Sequence, residues 1–164
     1  MKNTTSESKS RKPMLWLLMG SAITSLAIMG VWLSPSQSAQ AEAIKVYKSA
    51  TCGCCKKWIS HLESNGFEVD AEDRKDLPSI KQELGIAQNQ QSCHTAKIGG
   101  YFIEGHVPAS DIERLLAEKP DIAGLAVPGM PVGSPGMEVP GRKADSYKVY
   151  AVDKQGNTRV FSSY

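Results

Sequence analysis

A chain of 164 residues is long enough for one domain with a real core, and its 19 basic and 17 acidic side chains leave it close to neutral. Residues 1–41 carry four basic side chains and one acid, so the remainder holds 15 basic and 16 acidic residues, a net charge of −1. With no basic patch and no stripe of interleaved aromatics, that remainder is not built for nucleic acid.

The chain opens on a basic stretch containing Lys2, Lys9, Arg11 and Lys12, followed by twenty uncharged residues from Met14 to Leu33. The run Ser34–Ala41 then ends in a small-x-small pattern. This order predicts a secretory signal cleaved after Ala41. The apolar stretch also has the length of a spanning helix of about 20 residues, so an uncleaved anchor is the alternative. Either way residues 42–164 are expected to be a single exported or periplasmic domain that meets a membrane only through the N-terminal segment. All four cysteines then lie in an oxidising compartment, where thiols tend to become disulfides.

From residue 42 the pattern alternates. Ile44–Tyr47 reads as a first strand, and Cys55–Asn65 as a helix carrying Trp58, Ile59 and Leu62, with Gly66 as its stop. Phe67–Asp70 reads as a second strand. Asp76 is a candidate N-cap beside Pro78, and Ile80 and Leu84 give that helix an apolar face before Gly85. A polar loop follows over Ile86–Gln91. Thr95–Ile98 and Tyr101–Glu104 flank Gly99-Gly100, a hairpin signal. Ser110 or Asp111 is expected to cap a helix from Ile112 to Lys119, stopped by Pro120. The order β-α-β-α-β-β-α predicts an α/β, thioredoxin-like domain, a mixed four-stranded sheet with helices on both faces. Residues 128–141 hold two Pro-Gly-Met triplets and read as irregular, and Tyr147–Val152 with Thr158–Phe161 form a C-terminal β-hairpin.

Three cysteines stand in Cys52-Gly53-Cys54-Cys55, between the first strand and the first helix. A helix N-terminus offers free N–H groups and partial positive charge, which stabilise a thiolate. Cys52 and Cys55 make a Cys-x-x-Cys pair like the thioredoxin Cys-Gly-Pro-Cys, with Cys54 in the proline's place. A third thiol removes a rigid residue and adds a soft ligand. Three sulfurs in one turn suit a thiophilic ion such as Cu(I) better than a plain dithiol exchanger. Cys93-His94-Thr95 falls where thioredoxins carry a cis-proline before the third strand, facing the Cys-x-x-Cys turn, so a fourth sulfur and an imidazole are expected to reach the cluster. The plainer alternative is a structural disulfide through Cys93, with His94 on the surface.

His106, in Gly105-His106-Val107-Pro108, is a lone histidine of the kind that usually serves structure, and His61 in mid-helix reads the same way. Met130 and Met137 are the only methionines beyond residue 41. In a Pro/Gly stretch they have little core to fill, which favours thioether ligation. The sequence holds no Ser/His/Asp arrangement, phosphate-cradling glycine loop or zinc-ribbon pair.

Four blocks, Val46–Cys55, Ser92–Thr95, Glu104–Pro108 and Ala126–Glu138, together resemble the exported, CopG-like copper-resistance family, long filed as a domain of unknown function. The resemblance covers residues 44–152. It implies a thioredoxin-like fold that binds copper through clustered cysteines, a link to copper tolerance and an oxidoreductase role, though catalysis stays open. Carried over by position, Cys52, Cys54, Cys55 and Cys93 would be the sulfur ligands, with His94, His106, Met130 and Met137 near the site.

Three readings follow. The first is an exported copper-binding protein that captures Cu(I) and cycles its redox state with a redox or copper-handling protein partner. The second is a thiol–disulfide oxidoreductase in which Cys52 attacks and Cys55 resolves. The third is a zinc- or disulfide-stapled binding module.

Overall fold

The computed structural model describes residues 42–164. The expected signal or anchor over residues 1–41 lies outside them. Seven strands and three α-helices follow in the order β1 (Ile44–Lys48), α1 (Gly53–Ser64), β2 (Val69–Asp73), α2 (Leu77–Glu83), β3 (Thr95–Ile98), β4 (Tyr101–Glu104), α3 (Ala109–Glu118), β5 (Gly124–Ala126), β6 (Lys148–Val152) and β7 (Thr158–Ser163). A 3-10 turn at Gln88–Gln90 interrupts the polar loop before β3.

The strands form one sheet in the order β2-β1-β3-β4-β5-β6-β7. The α/β class is as expected, but the expected four-stranded sheet is corrected to seven. The four expected strands, β2, β1, β3 and β4, are adjacent. Beyond them β5 pairs parallel to β4, β6 antiparallel to β5, and β7 antiparallel to β6. The C-terminal hairpin therefore extends the sheet through β5. Three residues are too few to display alternation, and β5 approaches β4 closely only because position 124 lacks a side chain. A Cβ on Gly124 would lie 2.2 Å from the Phe102 carbonyl oxygen and 2.6 Å from its ring.

The pleat of β4 sends neighbouring side chains to opposite faces. Ile103 joins a core with Val46, Trp58, Leu62, Ile112, Leu115 and Leu125, which puts α1 and α3 on that face. Phe102 joins Ile86, Ala126 and Val152 on the other. Each fully buried Leu or Ile contributes about 1.5–3 kcal/mol. The Gly99-Gly100 turn has φ of 56° and 82°, the positive pair a two-residue type I′ hairpin needs.

Helix starts differ from expectation by a few residues. α1 begins at Gly53, two residues earlier than expected, because Cys52 caps it. α3 begins at Ala109, not Ile112, with Pro108 as its cap residue. Proline has no capping oxygen, and the His61 ring supplies the acceptor instead: its Nε2 accepts the Ala109 N–H at 3.1 Å. Asp111 does not cap; it is buried and accepts the hydroxyls of Ser162 and Tyr164. Asp76 makes no side-chain cap bond and instead accepts from the Arg74 guanidinium at 2.6 and 2.8 Å.

Candidate metal centre

The chain turns from β1 into α1 at Cys52, whose sulfur accepts the Cys55 backbone N–H at 3.3 Å. The helical turn brings the Cα atoms of Cys52 and Cys55 to 5.4 Å, and the two form a disulfide. Cys54 and Cys93 are free thiols. Cys93 arrives from the loop before β3, the place the sequence assigns it. Cys54 Sγ lies 3.5 Å from Cys52 Sγ and 3.7 Å from Cys93 Sγ, and Cys55 Sγ lies 3.6 Å from Cys93 Sγ. Cys55 is fully buried, while the other three sulfurs belong to half-buried residues.

Cys93 also meets nitrogen. His94 Nδ1 is 3.3 Å from its sulfur and His106 Nε2 is 3.2 Å away. Both histidines are fully buried, so the surface position open to His94 and the ordinary structural position expected of His106 are both replaced by places beside the cysteines. The His106 Nδ1 lies 2.8 Å from the Pro135 carbonyl oxygen. A carbonyl only accepts, so Nδ1 carries the hydrogen and Nε2 presents a bare lone pair to Cys93. His94 Nε2 is buried with no hydrogen-bond partner among the described residues. The His94 ring lies 4.3 Å from the Trp58 ring and 4.9 Å, edge-on, from that of His106.

This enclosure disfavours charge. Burial holds His94 well below the ordinary histidine range, with the charges of His106 and Lys81 acting in the same direction. Burial lowers His106 too, against the opposing hydrogen bond to Pro135. The Cys93 thiol is pushed up to about 12, first by burial and then by Cys54 beside it. Neutral imidazoles offer free lone pairs, and a metal ion held here would take the place of the thiol proton.

The Pro/Gly/Met stretch closes one side. Gly136 has φ of 83°, and a Cβ there would lie 2.7 Å from the Trp58 backbone nitrogen and 2.9 Å from the Cys54 carbonyl oxygen. The loop is fastened by Gly129 N–H to the Gln91 carbonyl at 3.1 Å, by Ser92 Oγ–H to the Gly129 carbonyl, and by Asp145 N–H to the Val132 carbonyl at 2.8 Å. Met137 is half-buried at the end of the segment that covers α1, whereas Met130 is 52% exposed. The structure thus gathers Cys52, Cys54, Cys55, Cys93, His94 and His106, and leaves the Met130 side chain toward solvent.

The donors fit a thiophilic ion. Two thiolates on one ion at about 2.3 Å each sit no further than about 4.6 Å apart; the two free thiols, Cys54 and Cys93, meet that limit at 3.7 Å, and the disulfide sulfurs of Cys52 and Cys55 lie 3.5 and 3.6 Å from them. Two overlapping groups, Cys52-Cys54-Cys55-Cys93 and Cys93-His94-His106, each place their ligand atoms within 4.8 Å of one another. Sequence reasoning missed Lys81, Glu104 and Pro135. An acid ending the apolar run Tyr101-Phe102-Ile103-Glu104 was the one available signal; nothing local marks a backbone carbonyl as a histidine's partner.

The family described as "Protein of unknown function, DUF411" matches residues 90–137, which include Cys93, His94 and His106. A solved structure titled "Copper resistance protein copG- Form 2" is 50% identical, with a TM-score of 0.71, over 74% of this chain and 97% of that one. A second, "Copper resistance protein copG- Form 1", is 49% identical, with a TM-score of 0.71, over 76% of this chain and 98% of that one. No curated protein matches the chain.

Proposed function

The chain belongs to the CopG copper-resistance family, and we propose that it captures Cu(I) in the exported compartment through Cys52, Cys54, Cys55 and Cys93. The observation that carries this reading is the convergence of four sulfurs from two segments of chain, with spacings of 3.5 to 3.7 Å. Soft thiolates select Cu(I) over hard cations. The site needs its disulfide opened first: two electrons and two protons from a partner dithiol convert Cys52–Cys55 to two thiols and leave the partner as a disulfide. Each thiol proton is then lost to solvent as its sulfur binds copper. His94 and His106 stand ready as neutral nitrogen donors at the Cys93 end, and Met137 is the better placed of the two thioethers. Nitrogen donors beside a sulfur also suit Cu(II), which supports cycling between the two copper states at this end of the cluster.

A second reading is favoured by the disulfide itself. Cys52 at the helix N-cap and a buried Cys55 are the arrangement of an attacking and a resolving thiol, which supports thiol–disulfide exchange. The two readings separate in one experiment. The reduced, oxygen-free chain is titrated with Cu(I) against a competing chelator while copper and accessible thiols are counted. Uptake of one or more ions with loss of accessible thiols supports capture. No uptake, with a Cys52–Cys55 pair that equilibrates with a redox buffer, overturns it in favour of exchange.

A further inference from the structure

On the face of the sheet opposite Trp58, a buried ion pair sits directly behind the Cys93–His94 segment. Lys81 is 4% exposed and Glu104 is fully buried. The Lys81 ammonium donates to Glu104 Oε1, to Thr95 Oγ1 at 2.6 Å and to the His94 carbonyl at 3.4 Å. Its three hydrogens therefore have three acceptors. Glu104 Oε1 also accepts the Ser92 N–H at 2.5 Å, and Oε2 accepts the Thr95 hydroxyl. The His94 carbonyl takes a second donor, the Gly105 N–H, at 3.1 Å.

The bonds bracket the site. Ser92 lies just before Cys93, Thr95 just after His94, and Glu104 two residues before His106. Gly105 leaves no room for a different packing: a Cβ there would be 2.5 Å from the Val127 carbonyl oxygen and 2.7 Å from Ser92 Cβ. We infer that Lys81 and Glu104 are positioning residues, which fix the backbone on both sides of Cys93-His94 and so hold the Cys93 sulfur and the two imidazoles in register with the Cys52–Cys55 turn. A buried pair is a costly way to stabilise a fold, since an apolar pair of similar volume often does as well or better. Beyond the pair itself, its hydrogen bonds here end on the His94 backbone and on Ser92 and Thr95, which flank Cys93-His94. What the cluster binds rests on the copper reading above; the positioning concerns the metal-free chain as well.

The test uses the full chain carrying Lys81→Met with Glu104→Leu, which removes both charges together, and separately Thr95→Val, which cuts the link to β3 while keeping the pair. Two quantities are read on reduced protein with a cooperative unfolding transition: the alkylation rate of Cys93, resolved from the other cysteines by peptide mass, and Cu(I) affinity by chelator competition. Loss of supporting hydrogen bonds around ligands is expected to weaken copper binding about 10- to 100-fold, with Cys93 alkylated faster and Cys54 unchanged. Folded variants with unchanged Cys93 alkylation and unchanged affinity overturn the assignment and leave the pair a purely structural one. If the double variant does not fold, Thr95→Val decides by the same two readouts. If the unaltered chain itself takes up no Cu(I), the copper reading fails, and Cys93 alkylation still decides the positioning.

Discussion

His106 presents a bare Nε2 to the Cys93 sulfur at 3.2 Å because its Nδ1 hydrogen is held by the Pro135 carbonyl. The tautomer at the site is thus set by a backbone group 29 residues away, in the loop that closes over α1. Asparagine at 106 would reproduce the donor to Pro135 while removing the nitrogen that faces Cys93. His106→Asn is expected to keep the fold and to lose about 10-fold or more in Cu(I) affinity, measured by chelator competition. Affinity within twofold of the original would remove His106 from the metal's neighbourhood.

Cys54 Sγ stands 3.5 Å from Cys52 Sγ and 3.7 Å from Cys93 Sγ. Cys54→Ser should leave the Cys52–Cys55 disulfide able to form and lower the copper bound per chain. Metal analysis beside a thiol count checks this. A variant that binds the full complement of copper would show that the third sulfur of the turn is not a ligand.

Gly136→Ala places a methyl 2.7 Å from the Trp58 nitrogen in a backbone conformation with φ of 83°. Strain of this kind costs about 1–3 kcal/mol. A lower urea midpoint with an unchanged slope is expected. An unchanged midpoint would mean that the loop gives way without cost and does not press on the helix.

Two buried histidines and a half-buried one give the metal-free protein an acid-side weakness. His94, His106 and His61 are all lowered by burial relative to the ordinary value of 6.5. The unfolded chain therefore binds protons first as pH falls, and stability rises with pH wherever that holds. Their contribution is complete above about pH 6.5 and is lost as pH falls below it. Burial raises Glu104, which acts in the opposite direction, but one carboxyl stands against three imidazoles. Urea unfolding of metal-free protein at pH 7.5 and 5.5 should show the lower stability at 5.5; equal or greater stability there would contradict the assigned protonation states.

Much of this arrangement is readable from the residues, for identifiable reasons. The hairpin is legible because Gly99-Gly100 supplies the two positive φ values that its turn demands. The cysteine turn is legible because spacing in the first turn of a helix fixes which sulfurs meet. β5 is not, since its place depends on Gly124 lying flat against Phe102, a contact between residues far apart in the chain. His106 is legible only through the family resemblance that sets it near the cysteines: a single histidine after a hairpin carries no periodicity, and the return of β4 toward β3 brings it to Cys93. Lys81 carries no local signal because its partners, Thr95 and Glu104, come from two other elements.

The unequal burial of the four sulfurs imposes an order of contact. Cys55 is fully enclosed, whereas Cys52, Cys54 and Cys93 belong to residues that keep some exposure. A molecule arriving from solvent can touch the outer three and not the fourth. An ion captured as proposed would therefore make its first bond at the rim, and Cys55, once its disulfide with Cys52 is opened, would join from within. Departure by the same route would run in reverse, with the innermost sulfur letting go first.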